Sequence, residues 1–256
     1  MSSQQHGVLD LLVSSVVSPL SPKDERRLVS QAVEFAQIEK SLTELQSGRM
    51  IVIADDEDRE NEGDLVIAAE MVTPELINFM ATHARGLICL AMSGERLDQL
   101  ELGPMVPHNT ANLGTAFTVS IDARGRGVTT GISSYDRAQT ILAAVDPRTR
   151  PEDLARPGHV FPLRSRPDGV LERRGQTEAS VDLTRLAGMY HAAVICEIMN
   201  RDGSMARGSD LARFCSGYGL TMVTVAQLVR FRIETELDNL TSCILLEHIA
   251  AAQKQP

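Results

Sequence analysis

Tryptophan is absent from this 256-residue chain, and three tyrosines and six phenylalanines complete its aromatics. A core must therefore be packed from Ala, Val, Ile, Leu and Met. Cysteine is scarce as well: Cys89, Cys196, Cys215 and Cys243 are scattered and form no CxxC pair. That spacing excludes a disulfide framework and a thiolate zinc site, and it fits reduced thiols in the cytoplasm. No long block of Lys or Arg occurs, and the formal net charge is -9. A nucleic-acid binder needs a basic stripe to neutralise phosphates, so nucleic acid is not expected as a partner. A small anionic substrate stays open, because a few local arginines suffice for it. The apolar stretch at residues 8–17 falls short of the roughly 20 residues that span a bilayer. It also carries Asp10 and lacks a basic leader, so neither a membrane span nor a signal peptide is expected.

What is present is 43% hydrophobic and 23% charged, the balance of one globular domain, since single cores grow to roughly 250 residues before chains split. Residues 1–32, interrupted by Pro19 and Pro22, read as an extension that is expected to be partly disordered. From Val33 the apolar residues Val33, Ile38, Leu42 and Leu45 recur at helical spacing, and Gly48 follows as a stop. Residues 50–54 and 65–69 are apolar runs of strand length, with an acidic loop between them. Thr73, Pro74 and Glu75 carry the marks of a helix start: a capping hydroxyl, a proline in the first turn and an acid at the positive dipole end. Residues 87–91, 115–121, 192–198 and 220–223 read as further strands. Residues 136–145 and 209–218 read as helices, and a last helical stretch runs from Leu228 towards His248. Residues 146–174, rich in Pro, Arg and Gly, read as a long functional loop. The pattern predicts an α+β fold, a mixed twisted sheet layered with helices on both sides. Residues 33–232 form its domain and residues 233–256 a helical tail.

The densest chemical signal is Asp55-Asp56-Glu57-Asp58-Arg59-Glu60-Asn61-Glu62-Gly63-Asp64. Such a run is either a solvated loop or a cation site. It sits tightly between two apolar strands, and its charges repel one another unless a cation neutralises them. Asp58, Glu60 and Glu62 followed by Gly63 mimic the start of a calcium loop, but Ala69 would then fill the closing position where a bidentate carboxylate is required. Glu197 in an apolar strand is a second signal, because a buried unpaired carboxylate is unfavourable.

The acidic string resembles the signature loop of the 3,4-dihydroxy-2-butanone 4-phosphate synthases. The similarity continues in order through Gly127-Val128-Thr129-Thr130-Gly131, Asp136-Arg137, Arg156-Pro157-Gly158-His159-Val160-Phe161-Pro162-Leu163, Thr177-Glu178-Ala179, Cys196-Glu197 and Met205-Ala206-Arg207. The resemblance implies a cytoplasmic, magnesium- or manganese-dependent lyase that converts D-ribulose 5-phosphate to L-3,4-dihydroxy-2-butanone 4-phosphate and formate. It implies that Glu60 is a metal ligand, that Arg59, Glu60 and Asp64 lie at the substrate, and that Glu62 is a candidate for proton transfer. His159 and Glu197 correspond to essential catalytic residues and Thr130 to a residue of the pocket wall. Arg173, Arg174, Gly175, Gln176 and Thr177 correspond to a substrate-phosphate loop. The resemblance also implies a homodimer with the pocket at its interface, His159 entering from the second subunit. Too few residues follow position 232 for the GTP cyclohydrolase II often fused to such lyases, so that domain is not expected here.

Two positions depart from the family pattern. Gln176 stands where the family has a histidine that is the protein's second metal ligand, and Arg174 replaces a small residue. An amide oxygen suits magnesium, but an amide cannot exchange protons near neutral pH as imidazole does. Three readings follow: an active lyase with a modified metal site, a lyase redirected to a related sugar phosphate, and a non-catalytic binding relative.

Overall fold

The structure, a computed structural model, describes residues 21–237. The chain divides into two compact units, residues 1–36 and 37–256. The described part of the first is helical, belonging to helix α1 (Pro22–Gln46), which starts well before Val33. In the second unit, a seven-stranded mixed sheet is built from β1 (Ile51–Ala54), β2 (Gly63–Ala68), β3 (Cys89–Met92), β4 (Ile121–Ala123), β5 (Leu154–Arg164), β6 (Ala192–Glu197) and β7 (Thr221–Thr224). Its order is β4-β5-β3-β6-β2-β1-β7. Strands β1–β2, β2–β6, β3–β6 and β4–β5 pair antiparallel, whereas β1–β7 and β3–β5 pair parallel.

Apart from Asp64 in β2 and Glu197 in β6, the central strands are apolar runs because both sheet faces are covered. Along β1, Val52 faces one core, while Ile51 and Ile53 face the other. The first core is closed by α2 (Pro74–Phe79), α4 (Ser134–Val145) and α6 (Ser209–Tyr218), through residues such as Ile77, Ile141 and Leu211. The second is closed by Ile38 and Leu45, by α5 (Gln176–Leu186) and by Leu228 and Val229 of the helical residues 225–237. The expected α+β architecture, with helices on both sides of a mixed sheet, is the one observed.

Local signals hold where they rest on a mechanism. Thr73 caps α2, its side chain accepting a hydrogen bond from the Leu76 amide, and Pro74 opens the helix. Gly219 ends α6 in the left-handed region at φ 67°. Three expectations need correction. The proline-rich segment 146–174 is not a long irregular loop: it contains β5, the longest strand of the sheet. Pro162 in β5 cannot donate, yet its carbonyl accepts from both the Thr118 amide and hydroxyl, so the strand tolerates it. Of residues 115–121, only Ile121 lies in a named strand; Phe117 and Thr118 form isolated bridges. Helices α5 and α3 (Gly94–Gln99) were not anticipated. Most of the predicted helix beyond Leu228, from residue 238 onwards, falls outside the described residues, as do Cys243 and the predicted disorder of residues 1–20.

Helix α5 is fixed firmly for a reason that bears on the site. Its Asp182 forms a buried ion pair with Arg232 at 2.9 Å and accepts the Val170 amide at 2.9 Å. Gly169, at φ 57°, has room for no side chain there, since a Cβ would lie 2.2 Å from Asp182 Oδ1.

Candidate active site

The acidic run is the connection of the β1–β2 hairpin, closed by the Asp55 amide donating to the Glu62 carbonyl at 2.8 Å. Asp55 is buried and organises the loop: its Oδ2 accepts from Arg59 Nη1 at 2.6 Å and from the Glu60 amide at 3.0 Å. Arg59 then reaches two more groups. Its Nη1 donates to Gln176 Oε1 at 3.2 Å, and its Nη2 pairs with Glu60 Oε1 at 3.2 Å. One guanidinium thus ties the loop to the start of α5, across 117 residues of sequence.

Behind the loop, Asp64 on β2 stands opposite Glu197 on β6 in the strand register. Asp64 is buried, and its Oδ1 has no hydrogen-bond partner. Burial holds its carboxyl well above the usual aspartate range, and the charges of Glu197, Glu60, Glu62 and Asp55 push the same way. Glu62 is also raised, first by burial and then by Glu60, against the opposing pull of Arg207, which pairs with it at 3.2 Å. Glu197 Oε2 accepts from the Leu87 amide at 2.8 Å. Asp55, Glu60, Glu62, Asp64 and Glu197 therefore crowd around Arg59 and Arg207, with acid in excess.

The fixed position of Glu197 depends on Gly86. A Cβ there would lie 2.4 Å from the Glu197 carbonyl oxygen and 2.6 Å from Oε2. Since the nearest obstacle is backbone, Gly86→Ala is expected to destabilise the fold by about 1–3 kcal/mol, the usual scale of overpacking. Thermal unfolding checks this; an unchanged melting temperature would mean that Glu197 has freedom to move aside.

Gln176 and Thr177 are buried at the N-terminus of α5, capped by Gly175. The Ala179 amide bonds Gly175, so the amides before it have no partner in the helix ladder. Arg173 is not free: its Nη1 donates to buried Glu178 at 2.6 Å, and its Nη2 reaches the Leu113 carbonyl at 3.2 Å. Arg174 is exposed. Beside Arg173 opens a cavity of about 530 Å³ lined by Met105, Thr115, Phe117, Arg164 and Arg166 among others. It flanks this phosphate-loop side, and none of the clustered carboxylates lines it.

His159 lies apart. Its ring Nδ1 is 2.8 Å from Asp122 Oδ2, and its side chain is 43% exposed. Thr130 is exposed in the nearby turn between Thr129, whose hydroxyl donates to Asp136 Oδ2 at 3.0 Å, and Gly131. Among the described residues, no hydrogen bond or ion pair joins this group to the carboxylate cluster. The chain therefore brings together Arg59, Glu60, Glu62, Asp64, Gln176 and Glu197, with Arg173, Arg174, Gly175 and Thr177 at the adjoining helix start. Among the described residues, His159 and Thr130 make no bond to that group.

The family profile described as 3,4-dihydroxy-2-butanone 4-phosphate synthase matches residues 39–231. The chain belongs to that family. The riboflavin biosynthesis protein RibBA of Aquifex aeolicus (strain VF5) is 54% identical over 220 residues, covering 86% of this chain and 52% of that protein. A 3,4-dihydroxy-2-butanone 4-phosphate synthase of Agrobacterium fabrum is 54% identical over 197 residues, covering 77% of this chain and 92% of that protein. The chain thus spans about half the length of several relatives it matches and nearly the whole of a shorter one. Among solved structures, a synthase in complex with two magnesium ions superposes with a TM-score of 0.74 at 42% identity, covering 78% of this chain and 97% of that one. A two-domain synthase, RibBX of A. baumannii, superposes at 0.73 and 51% identity over 76% of this chain and 57% of that one.

Within this synthase fold, sequence reasoning gave no role to Asp55, Asp122, Glu178 or Arg207. Asp55, Glu178 and Arg207 lie inside the strings that carry the resemblance, and Asp55 and Glu178 stand four and five residues from the arginines they pair with. Asp122 carries no local signal.

Proposed function

We propose that this chain converts D-ribulose 5-phosphate to L-3,4-dihydroxy-2-butanone 4-phosphate and formate, supplying riboflavin biosynthesis. The observation that carries this reading is the clustering of five carboxylates, Asp55 and Glu60 held by Arg59 and Glu62 by Arg207, with Arg59 also bonded to Gln176 at the start of α5, in a chain of the synthase family. The reaction removes a proton beside the ketone, expels a hydroxyl as water, shifts the carbon skeleton, takes a water back at the carbon to be lost and releases that carbon as formate. Each step moves protons between carbon and oxygen, which calls for carboxylates and an imidazole. Glu62, its carboxyl raised by burial and by Glu60, holds a proton at higher pH than an ordinary glutamate and suits that exchange. Glu197, oriented by the Leu87 amide, is the second proton carrier. The start of α5 and Arg173 suit a phosphate group, since amides at a helix N-terminus favour anions.

The donor set fits a magnesium or manganese ion. Asp55 Oδ1 and Asp64 Oδ1 are buried without partners, and acid exceeds base. Glu60 and Gln176 offer the hard oxygens such ions prefer. Among the described residues, no three His, Cys, Asp or Glu side chains stand ready to hold a metal, so water, and substrate oxygens when present, would complete the shell. When bound, the cation would stabilise the enediolate and hold neighbouring substrate oxygens. We further place His159 in the site of a second copy of the chain: its exposure, and the lack among the described residues of any hydrogen bond or ion pair from it to the carboxylate cluster, support a homodimer. Buried free thiols at Cys89, Cys196 and Cys215 support a reducing, cytoplasmic setting. Among the described residues, no helix is long and apolar enough to cross a membrane.

Formate assayed after incubation with D-ribulose 5-phosphate and magnesium tests the reaction, and its absence under all metal conditions sinks it. Calorimetry is expected to find weak magnesium binding to the free protein and tighter binding with the sugar phosphate present. No metal uptake in either state would favour a non-catalytic relative.

A further inference from the structure

We infer that Asp122 is a positioning residue that fixes the tautomer of His159, an inference that rests on the acid–base role of His159 proposed above. A single carboxylate holds this residue in two places. Asp122 Oδ1 accepts the His159 backbone amide at 2.9 Å, and Oδ2 faces ring Nδ1 at 2.8 Å. The ladder between β4 and β5 explains why. Ile121 pairs with Val160, but the next residue, Asp122, pairs with Ala155. Residues 156–159 therefore leave the ladder, and Asp122 sits at the root of the excursion, where a strand irregularity re-aims a side chain.

The surroundings are shaped to this pair. Gly158, whose amide donates to Ser120 Oγ at 3.1 Å, has no room for a side chain: a Cβ would lie 2.0 Å from the Ile121 carbonyl carbon. Gly131, at φ 93°, is pressed against the pair, a Cβ there lying 2.2 Å from Asp122 Oδ2 and 2.5 Å from His159 Nδ1. Buried Asp136 keeps Gly131 in place by accepting its amide at 2.9 Å. Among the described residues, nothing bonds His159 Nε2. With Nδ1–H directed at a carboxylate, Nε2 carries the lone pair and is the nitrogen free to take up and return a substrate proton.

The two-point hold makes Asp122→Asn unusually decisive. The amide oxygen must face the His159 backbone N–H, because the opposite orientation would set two donors together. The side-chain NH₂ then faces Nδ1 and turns it into an acceptor, which moves the proton to Nε2. Nitrogen-edited NMR of the imidazole is expected to find the Nδ1–H tautomer in the neutral wild-type side chain and the Nε2–H tautomer in Asp122→Asn. The kcat for formate release should fall about tenfold, less than the 10²–10⁴ that acid–base catalysis contributes in all, because the ring stays in place and only its tautomer changes, with KM changed less than about twofold. Asp122→Glu, which keeps two acceptors, should keep the Nδ1–H tautomer and recover part of the rate.

An Nε2–H tautomer in the wild type overturns the inference, even if no variant folds. A switched tautomer with undiminished kcat overturns it equally, as does a retained Nδ1–H tautomer in folded Asp122→Asn. If the wild type releases no formate, the proposed reaction fails, while the tautomer measurement still decides whether Asp122 sets the ring.

Discussion

Replacing Gln176 with histidine is expected to raise formate release from ribulose 5-phosphate by about tenfold to a hundredfold, the scale on which metal surroundings act. The structure gives this expectation a specific cause. Gln176 Oε1 accepts from Arg59 Nη1, and the other arm of the same guanidinium holds Glu60 Oε1. Both groups proposed to hold a cation are thus engaged by Arg59, and ion binding must compete with it. An amide oxygen is a good acceptor for a guanidinium. A neutral imidazole presents one lone pair and can commit it to a metal, which frees Arg59 for the substrate. Gln176 is buried at the first turn of α5, so the helix itself sets where an imidazole at this position would enter. Arg174 is exposed beside it, and Arg174→Gly added to Gln176→His separates a poor ligand from an obstructed phosphate site. Both variants should also bind magnesium more tightly in calorimetry. If neither gains formate release while both stay folded and bind metal, Gln176 is not what limits the reaction. A substrate other than ribulose 5-phosphate then becomes the better reading.

The parts of this molecule that were legible from sequence are those in which local chemistry and tertiary position agree. Residues 51–54 read as a strand because all four are buried, and such a run has no other use in a core. The acidic run read as a connection between strands because charge of that density cannot continue either one. Thr73 and Pro74 announced α2 through capping alone. Helix α5 was hidden for the opposite reason. From Gln176 to Thr184 every residue is buried, including Thr177, Glu178, Ser180 and Asp182, so no apolar stripe marks it against a polar face. Strand β5 was hidden by Pro157 and Pro162, which are ordinary loop signals. The hold of Arg59 on Gln176 and that of Asp122 on His159 join residues far apart in the chain. No spacing rule reaches them, because only the sheet order brings their elements together.

Asp64→Asn is expected to abolish turnover while making the protein more stable. Asp64 lies buried among Glu197, Glu60, Glu62 and Asp55, with one oxygen unpartnered. Its carboxyl is raised, so the folded state keeps a proton that the unfolded chain has lost above about pH 3.9. Its contribution to stability is therefore present at low pH and declines as pH rises from that value through the raised folded one. At neutral pH an ionised Asp64 works against the fold unless a cation balances it. An asparagine removes the charge and offers an NH₂ that the neighbouring carboxylates can accept. The gain should be about 1–2 kcal/mol, typical when a strained functional group is removed, or roughly 2–8 °C in melting temperature. The fall of melting temperature between pH 4.5 and 7.5 should flatten in the variant, with a residual slope from Glu62 and Glu178, whose carboxyls are also raised. Magnesium with sugar phosphate should stabilise the wild type and leave the variant nearly unmoved, and formate release should drop by about 10²–10⁴. A variant that melts below the wild type in metal-free buffer at pH 7.5 would show that Asp64 serves the fold rather than the reaction.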